Sequence, residues 1–413
     1  MPKKIVSVGL DIGTSKISVC IGSNEEGPID ILGVGRAPSN GVRKGQIIDI
    51  EETVTGISQA LEQAEKMCDF SVGSVVAGID GSHITSSVSH GVIAVAKQDG
   101  EISESDAMRV IEAAKALPNQ PNVEVLHVMP KSFTVDGIAG VPDPVGMSGI
   151  RLEVDTNVIS GSLSAIKNTH RAINQAGLSI SDLVFSPLAT AKIMLSKQQK
   201  EVGVILVDIG AGTTSYVVYE EGDLIHCGVL PIGSGHITND IAIGLRTNIN
   251  LAETIKIKYG YASPEKIDEK EEIDLSKYDK NETVVANVKY VAEIIEARLN
   301  EIFVLIRDEL RSINREGMLP AGVVLTGGGA KLEGITEMVK DTLRLPTDIA
   351  KPVVPLSGVV DNLSDPIYAT SAGLMVWGLE SGASAGSRGK NVGVAEIGGM
   401  VNKVKNAFRQ FLP

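Results

Sequence analysis

Val207-Asp208-Ile209-Gly210-Ala211-Gly212-Thr213-Thr214-Ser215 repeats a pattern met 197 positions earlier, in Gly9-Leu10-Asp11-Ile12-Gly13-Thr14-Ser15. Each stretch follows an apolar run of strand composition, residues 5–10 and 202–207, and precedes a second one, residues 16–21 and 216–219. Each second run leads through a Gly-containing turn to a third, residues 29–34 and 224–230. The chain therefore holds one β-hairpin-plus-strand unit twice, with an Asp and a Gly/Thr/Ser turn between the first two strands of each. Two such units facing one another would grip a nucleotide phosphate from both sides.

The turn chemistry supports that use. Glycine lets the backbone approach an anion closely and adopt positive φ. Successive N–H groups then point at phosphate oxygens, and Thr14, Ser15, Thr213 and Thr214 add hydroxyl donors. Gly13, Gly210 and Gly212 supply the close approach, and Lys16 is a further possible phosphate contact. Asp11 and Asp208 would repel phosphate, so their expected task is to hold Mg²⁺ through its waters, an ion that keeps much of its hydration. A phosphate loop ending in Gly-Lys-Ser/Thr is absent, and so is a G-x-G-x-x-G dinucleotide fingerprint. A third glycine cluster, Gly327-Gly328-Gly329, follows the strand-like Val323–Thr326 and leads through Lys331 toward a helix. Three consecutive glycines exceed the needs of a strand–helix turn and suit the close approach of a flat base, in the place where open α/β sheets bind ligands.

These three turns resemble those of the actin-like ATPase superfamily. Longer strings narrow the resemblance: Gly41-Val42-Arg43-Lys44-Gly45, Gly235-His236-Ile237-Thr238-Asn239-Asp240-Ile241-Ala242, Gly244-Leu245-Arg246-Thr247, Ala252-Glu253-Thr254-Ile255-Lys256 and Asp365-Pro366-Ile367-Tyr368-Ala369-Thr370-Ser371-Ala372-Gly373-Leu374. In this order and along essentially the whole chain they are similar to the FtsA family of bacterial cell-division proteins. The resemblance implies an α/β fold of two lobes with duplicated mixed sheets and a small inserted subdomain. It also implies ATP as the ligand, with Glu253 and Lys256 contacting the adenosine. Head-to-tail filaments follow from it as well, as do other division proteins as partners and docking of the C-terminal tail of the tubulin-like protein FtsZ. Arg298, in a helix of the subdomain expected to receive that acidic tail, is a candidate contact.

The expected organisation is a first actin-like subdomain over 1–84, completed by 162–198 and 366–380, and an inserted domain over 85–161. A second actin-like core follows over 199–244 with 312–365, then a small partner-binding subdomain over 245–311. Apolar spacing predicts helices over 51–69, 103–117 (capped by Ser103) and 163–176, and a long, bent or divided helix over 284–309. The charged stretch 263–282 reads as a solvated surface insertion. The crossing into the second unit, Asp182-Leu183-Val184-Phe185-Ser186-Pro187, carries no Gln or Glu where hydrolysing members of the superfamily orient the attacking water. Slow hydrolysis at most is expected, with ATP acting mainly as an assembly ligand.

Residues 381–396, rich in Gly, Ser and Ala, read as a flexible linker. Beyond it Ile397, Met400, Val401, Val404, Phe408, Phe411 and Leu412 fall in one helical stripe about 140° wide, flanked by Lys403 and Lys405. An otherwise acidic chain, net charge −13, turns basic here, the pattern of a helix lying in an anionic membrane interface. The expected location is the cytoplasmic side of the bacterial membrane, peripheral, at the division septum. The acidic balance and 3% aromatic content argue against nucleic acid. No run of roughly 18 apolar residues would span a membrane. Cys20, Cys68 and Cys227 lack metal-ligand spacing and read as thiols in a reducing compartment. Two other readings remain: a pilus-assembly ATPase adaptor of FtsA type, which would lack the terminal helix, and a sugar or acid kinase, which would need a substrate-activating Asp in the cleft.

Overall fold

The computed structural model describes residues 5–382 apart from 25–26, 69, 97–99, 116–120, 281, 284 and 360–364. The C-terminal helix expected over 397–413, and the linker before it from residue 383, lie outside the described residues.

The first unit is a meander of β1 (Ile5–Ile12), β2 (Lys16–Asn24) and β3 (Ile29–Pro38), followed by a short hairpin, β4 (Val42–Arg43) and β5 (Gln46–Ile47). Helix α1 (Ile50–Cys68) buries Ile57, Ala60, Leu61 and Ala64 against this meander. The Asp49 carboxylate caps it by accepting the Glu52 N–H at 3.1 Å. Strand β6 (Ser74–Ile79) runs parallel to β1, the usual consequence of a helical crossover.

The inserted domain follows: β7 (Thr85–Ala94), α2 (Glu104–Lys115), β8 (Val123–Val135), β9 (Ile138–Val141) and β10 (Arg151–Ser162). Its sheet has the order β7-β10-β8-β9 and a small core of its own, including Ile102, Val110, Phe133 and Leu152. Ser103 caps α2 reciprocally: its Oγ accepts the Asp106 N–H at 3.3 Å, and the Asp106 carboxylate accepts the Ser103 N–H at 3.1 Å. The chain then returns through α3 (Leu163–Gln175) and β11 (Ser179–Phe185) to the first sheet, crosses by α4 (Ser186–Met194) and α5 (Lys197–Val202), and repeats the meander.

The repeat is β12 (Val204–Ile209), β13 (Thr214–Glu220) and β14 (Asp223–Leu230), followed by α6 (Ser234–Leu245), α7 (Ile249–Tyr259), β15 (Glu272–Asp274), β16 (Val285–Asn287), α8 (Val288–Ser312), β17 (Val323–Thr326), α9 (Ile335–Leu343), β18 (Thr347–Ile349), β19 (Leu356–Gly358) and α10 (Ala369–Ser381). The sheets are β11-β6-β1-β2-β3-β19 and β14-β13-β12-β17-β18. Five strands correspond one to one, including the parallel pairs β1–β6 and β12–β17. Each lobe has its own large apolar core.

Two expectations need correction. The stretch 263–282 is not merely a solvated insertion. Most of its charged side chains are exposed, but Pro264, Ile273 and Leu275 are buried, and β15 pairs with β16. Burial of Leu275 and Ile273 outweighs the local charge density and pins the segment to α8. The long helix is not divided and does not begin at 284: α8 is one element of 25 residues. It starts where the Asn287 side chain caps the Tyr290 N–H at 3.1 Å, and buries Val291, Ile295, Leu299, Ile302 and Ile306 on one face.

Candidate functional site: the cleft between the lobes

The two turns are built alike. Gly13 N–H donates to the Lys16 carbonyl at 2.9 Å, and Gly210 N–H to the Thr213 carbonyl at 2.9 Å. They face each other so closely that a Cβ added at Gly212 would lie 2.7 Å from Thr14 Oγ1 and 3.0 Å from the Lys44 nitrogen. Gly212 therefore serves the approach of the two turns rather than lining the cleft. Thr214 also stands outside it, buried in β13 with its hydroxyl unpartnered among the described residues.

Between the lobes lies a cleft of about 980 Å³. Asp11, Gly13, Thr14, Ser15 and Lys16 line it from the first lobe. Asp208, Gly210, Thr213, Glu253, Lys256, Gly327, Gly328, Gly329 and Lys331 line it from the second. The structure thus gathers in one place residues that lie more than 300 positions apart in the chain. Lys256 Nζ donates to Glu253 Oε2 at 2.7 Å, Thr238 Oγ1 at 2.8 Å and the Ser234 carbonyl at 3.3 Å, making a rigid polar wall from α6 and α7. Gly327, at φ +83°, has no room for a side chain: a Cβ would fall 2.2 Å from Asp208 Oδ1. Lys331 pairs with Asp365 at 2.7 Å and remains half exposed at the rim.

The charges of the cleft floor are unbalanced. Lys16 Nζ sits 3.0 Å from Asp11 Oδ2. Asp208 receives one hydroxyl, from Thr370 Oγ1 at 3.2 Å, and its pKa is pushed up to about 6 by burial and by the nearby Asp11 charge. Among the described residues no group of three or more His, Cys, Asp or Glu side chains could ligate a metal. Two carboxylates in one cleft, with a single ammonium paired to Asp11, leave negative charge that fits a cation keeping its water shell, as Mg²⁺ does.

Asp80 was not singled out from the sequence as a cleft residue. Asp80 follows β6 directly, lines the cleft, accepts the Gly81 N–H at 2.8 Å on Oδ1 and takes a short hydrogen bond from Ser215 Oγ of the other lobe on Oδ2. Its pKa is pushed up to about 7, first by burial and further by the charges of Asp208 and Asp11, against the lowering effect of its two hydrogen bonds. The legible signal was an acid at the carboxyl end of the apolar run Val75–Ile79, immediately before Gly81. Thr370 was likewise missed as a cleft residue, because its approach to Asp208 depends on where α10 docks.

Arg298 lies on α8 and is already engaged. Its Nε and Nη2 grip Asp240 of α6 at 2.6 and 3.0 Å, and Nη1 pairs with Glu301. Asp182, at the crossing, accepts the Trp377 indole N–H at 3.1 Å. Among the described residues no helix is long and apolar enough to cross a membrane.

A family sequence model described as cell division protein FtsA matches residues 205–373, and one described as the SHS2 domain inserted in FtsA matches residues 81–160. The chain is 37% identical over 374 residues to the cell division protein FtsA of Pseudomonas aeruginosa, covering 90% of this chain and 89% of that protein. It is 39% identical over 368 residues to that of Bacillus subtilis, covering 89% and 82%. Against that of Escherichia coli K12 it is 30% identical over 416 residues, covering 99% and 98%. Among solved structures it is similar to a PilM–PilN type IV pilus biogenesis complex, with TM-score 0.68 and 19% identity over 91% of this chain and 98% of that one. MreB5 of Spiroplasma citri bound to ADP gives TM-score 0.53 and 12% identity over 90% and 96%. The pilus and MreB likenesses show the two-lobed actin-like fold alone. The sequence identities carry more: the chain belongs to the FtsA family of cell-division proteins.

Proposed function

We propose that this protein binds ATP·Mg²⁺ in the cleft, assembles head to tail on the inner face of the cytoplasmic membrane, and anchors the FtsZ ring there through its C-terminal amphipathic helix. The observation that carries the nucleotide part is the opposition of the two glycine turns across the cleft, each with its Asp, at a spacing only glycine at 212 permits. Asp11 and Asp208 hold the hydrated metal. Thr14, Ser15, Thr213 and the turn amides hold the phosphates, and Gly327–Gly329 with Glu253 and Lys256 take the nucleoside.

The membrane part rests on the stripe of Ile397, Met400, Val401, Val404, Phe408, Phe411 and Leu412 and its flanking lysines. Each large apolar side chain contributes roughly 1.5–3 kcal/mol if fully buried, and ordering the helix opposes that gain. Each cation near an anionic leaflet adds roughly 1 kcal/mol. A single helix then binds weakly and reversibly, whereas a filament presenting many binds tightly.

Co-sedimentation with anionic vesicles tests this reading. The intact chain pellets with Mg-ATP, and removal of 397–413 leaves it in the supernatant. Phe408→Glu, in the stripe, releases it, whereas Asn406→Glu, on the opposite face, does not. Vesicle binding that survives the truncation, or equal behaviour of the two substitutions, removes the interfacial helix from the proposal.

A further inference from the structure

Ser186 stands at the crossing, where the superfamily resemblance implies a water-orienting Gln or Glu, and a carboxylate follows the neighbouring strand. Strand β6 lies between β1, which ends in the first phosphate turn, and β11, which ends at Ser186, with Phe185 in register with Ile79. Asp80 is the next residue after Ile79. It therefore emerges at the carboxyl edge of the sheet between the phosphate turn and the crossing, and both Asp80 and Ser186 line the cleft. The second lobe has only glycines at its corresponding edge, at the end of β17.

Asp80 also spans the cleft. Ser215, its hydroxyl partner, is registered with Asp208 across the β12–β13 hairpin. The equivalent serine of the first unit, Ser18, is registered with Asp11 and points its hydroxyl at that residue, 3.4 Å away. In the second unit the hydroxyl has turned to Asp80 instead. The groups facing Asp80 are Asp11 from β1, Asp208 from β12, Ser215 from β13 and the Gly81 N–H, while Gly45 of the β4–β5 hairpin presses on its backbone. Among the described residues these include no cation, and the two hydrogen bonds hold the carboxylate without neutralising its charge.

We propose that Asp80 is the proton acceptor for the water that attacks the γ-phosphate of bound ATP. As the water oxygen bonds to the γ-phosphorus, the bond from that phosphorus to the bridging oxygen breaks and ADP keeps its electron pair. The water's proton passes to the Asp80 carboxylate and then to product phosphate or solvent. Each Asp80 oxygen accepts one hydrogen bond, from Gly81 N–H or from Ser215 Oγ, and keeps a lone pair that can receive that proton. The alternative is a latch in which Asp80 only ties the lobes together through Ser215.

This inference rests on nucleotide occupying the cleft, so the experiment reads binding and hydrolysis separately. The full chain, Asp80→Asn and Ser215→Ala are titrated with a fluorescent ATP analogue and Mg²⁺, and phosphate release from Mg-ATP is followed from pH 5.5 to 8.5. Asparagine keeps both contacts, its Oδ1 accepting the Gly81 N–H and its Nδ2 donating to Ser215 Oγ, but cannot take a proton. Asp80→Asn is expected to bind nucleotide within about twofold of wild type, unfold no earlier, and release phosphate about 100-fold more slowly. The rise of rate with pH through neutrality should disappear with it. Ser215→Ala, which frees the carboxylate, keeps the wild-type rate or exceeds it. Wild-type rate and pH profile in Asp80→Asn overturn the proposal. Equal losses in the two variants overturn it in favour of the latch. A wild type that binds Mg-ATP and releases no phosphate overturns it while leaving the nucleotide site intact, and a wild type that binds no Mg-ATP overturns both.

Discussion

Asp208 concentrates the chemistry of the cleft in one side chain. It sits at the carboxyl edge of a central strand, hemmed in by Gly327 and touched by Thr370, with Asp11 close enough to raise its pKa. Ligand that binds only the folded state stabilises it by mass action. Mg-ATP is therefore expected to raise the melting temperature, and Asp208→Ala to abolish most of that rise with the fold intact. A full ATP-dependent shift in the variant, read by thermal denaturation, would remove Asp208 from the site. The same electrostatics set a pH dependence. A carboxyl whose pKa is raised by folding binds its proton more tightly folded than unfolded. Its charged form therefore costs stability that is absent below the unfolded value near 4 and fully felt above the folded value. For Asp80 and Asp208 the loss runs from about pH 4 up to about 7 and 6. Without ligand, wild type should lose stability relative to Asp80→Asn on going from pH 5 to pH 8, by on the order of 2 kcal/mol in urea unfolding. No difference in that interval would mean the carboxyl is better solvated than its surroundings indicate.

Helix α10 illustrates why some elements tolerate no side-chain growth. It is buried nearly throughout and lies on β1 and α4 at backbone-contact distance. A Cβ at Gly9 would fall 2.0 Å from the Ser371 carbonyl, and one at Gly373 would fall 2.2 Å from the Ala189 carbonyl. Because Thr370 of this helix reaches Asp208, its docking also shapes the cleft. Gly9→Val must push α10 off the sheet, at an expected cost on the order of 3 kcal/mol. The unfolding midpoint should fall, and nucleotide affinity should fall with it as Thr370 is displaced. A variant as stable as wild type would show that the helix slides without cost. The apolar periodicities of α1, α3 and α8 were readable because each buries one stripe and leaves the opposite face in solvent. Helix α10 has little such periodicity because it is covered on all sides, and sequence patterning alone identifies only half-buried helices well.

The two lobes, the inserted domain and α8 together define the faces offered to partners. Arg298 lies on one of them, but its fork is closed on Asp240, so an acidic tail must compete for it. If the FtsZ tail docks there, Arg298→Ala should weaken binding of the tail peptide severalfold, and Asp240→Asn, by releasing the guanidinium, should strengthen it. Both effects should shrink with added salt, because the pair is partly exposed. Equal affinity of wild type and Arg298→Ala in a peptide titration would move the docking site elsewhere on the subdomain, with ATP binding as the control for an intact fold.

Duplication was decided by the sequence alone. Two Asp-Ile-Gly turns in matched strand contexts, and glycines at 327–329, are local facts, because turn conformation and close backbone approach depend on the residues at those positions. The C-terminal stripe is equally local, since helical spacing needs no neighbour to be recognised. What only the tertiary structure decided concerns partners distant in the chain. Gly212 could be read as a phosphate contact until the fold set it against Thr14, and Arg298 as a free cation until α6 brought Asp240 to it. The charged segment 263–282 could be read as solvent-facing until α8 covered Ile273 and Leu275. Asp80 became part of the cleft only because two strands 135 residues apart face each other across it, and its raised pKa is a property of that enclosure rather than of any neighbour in the chain.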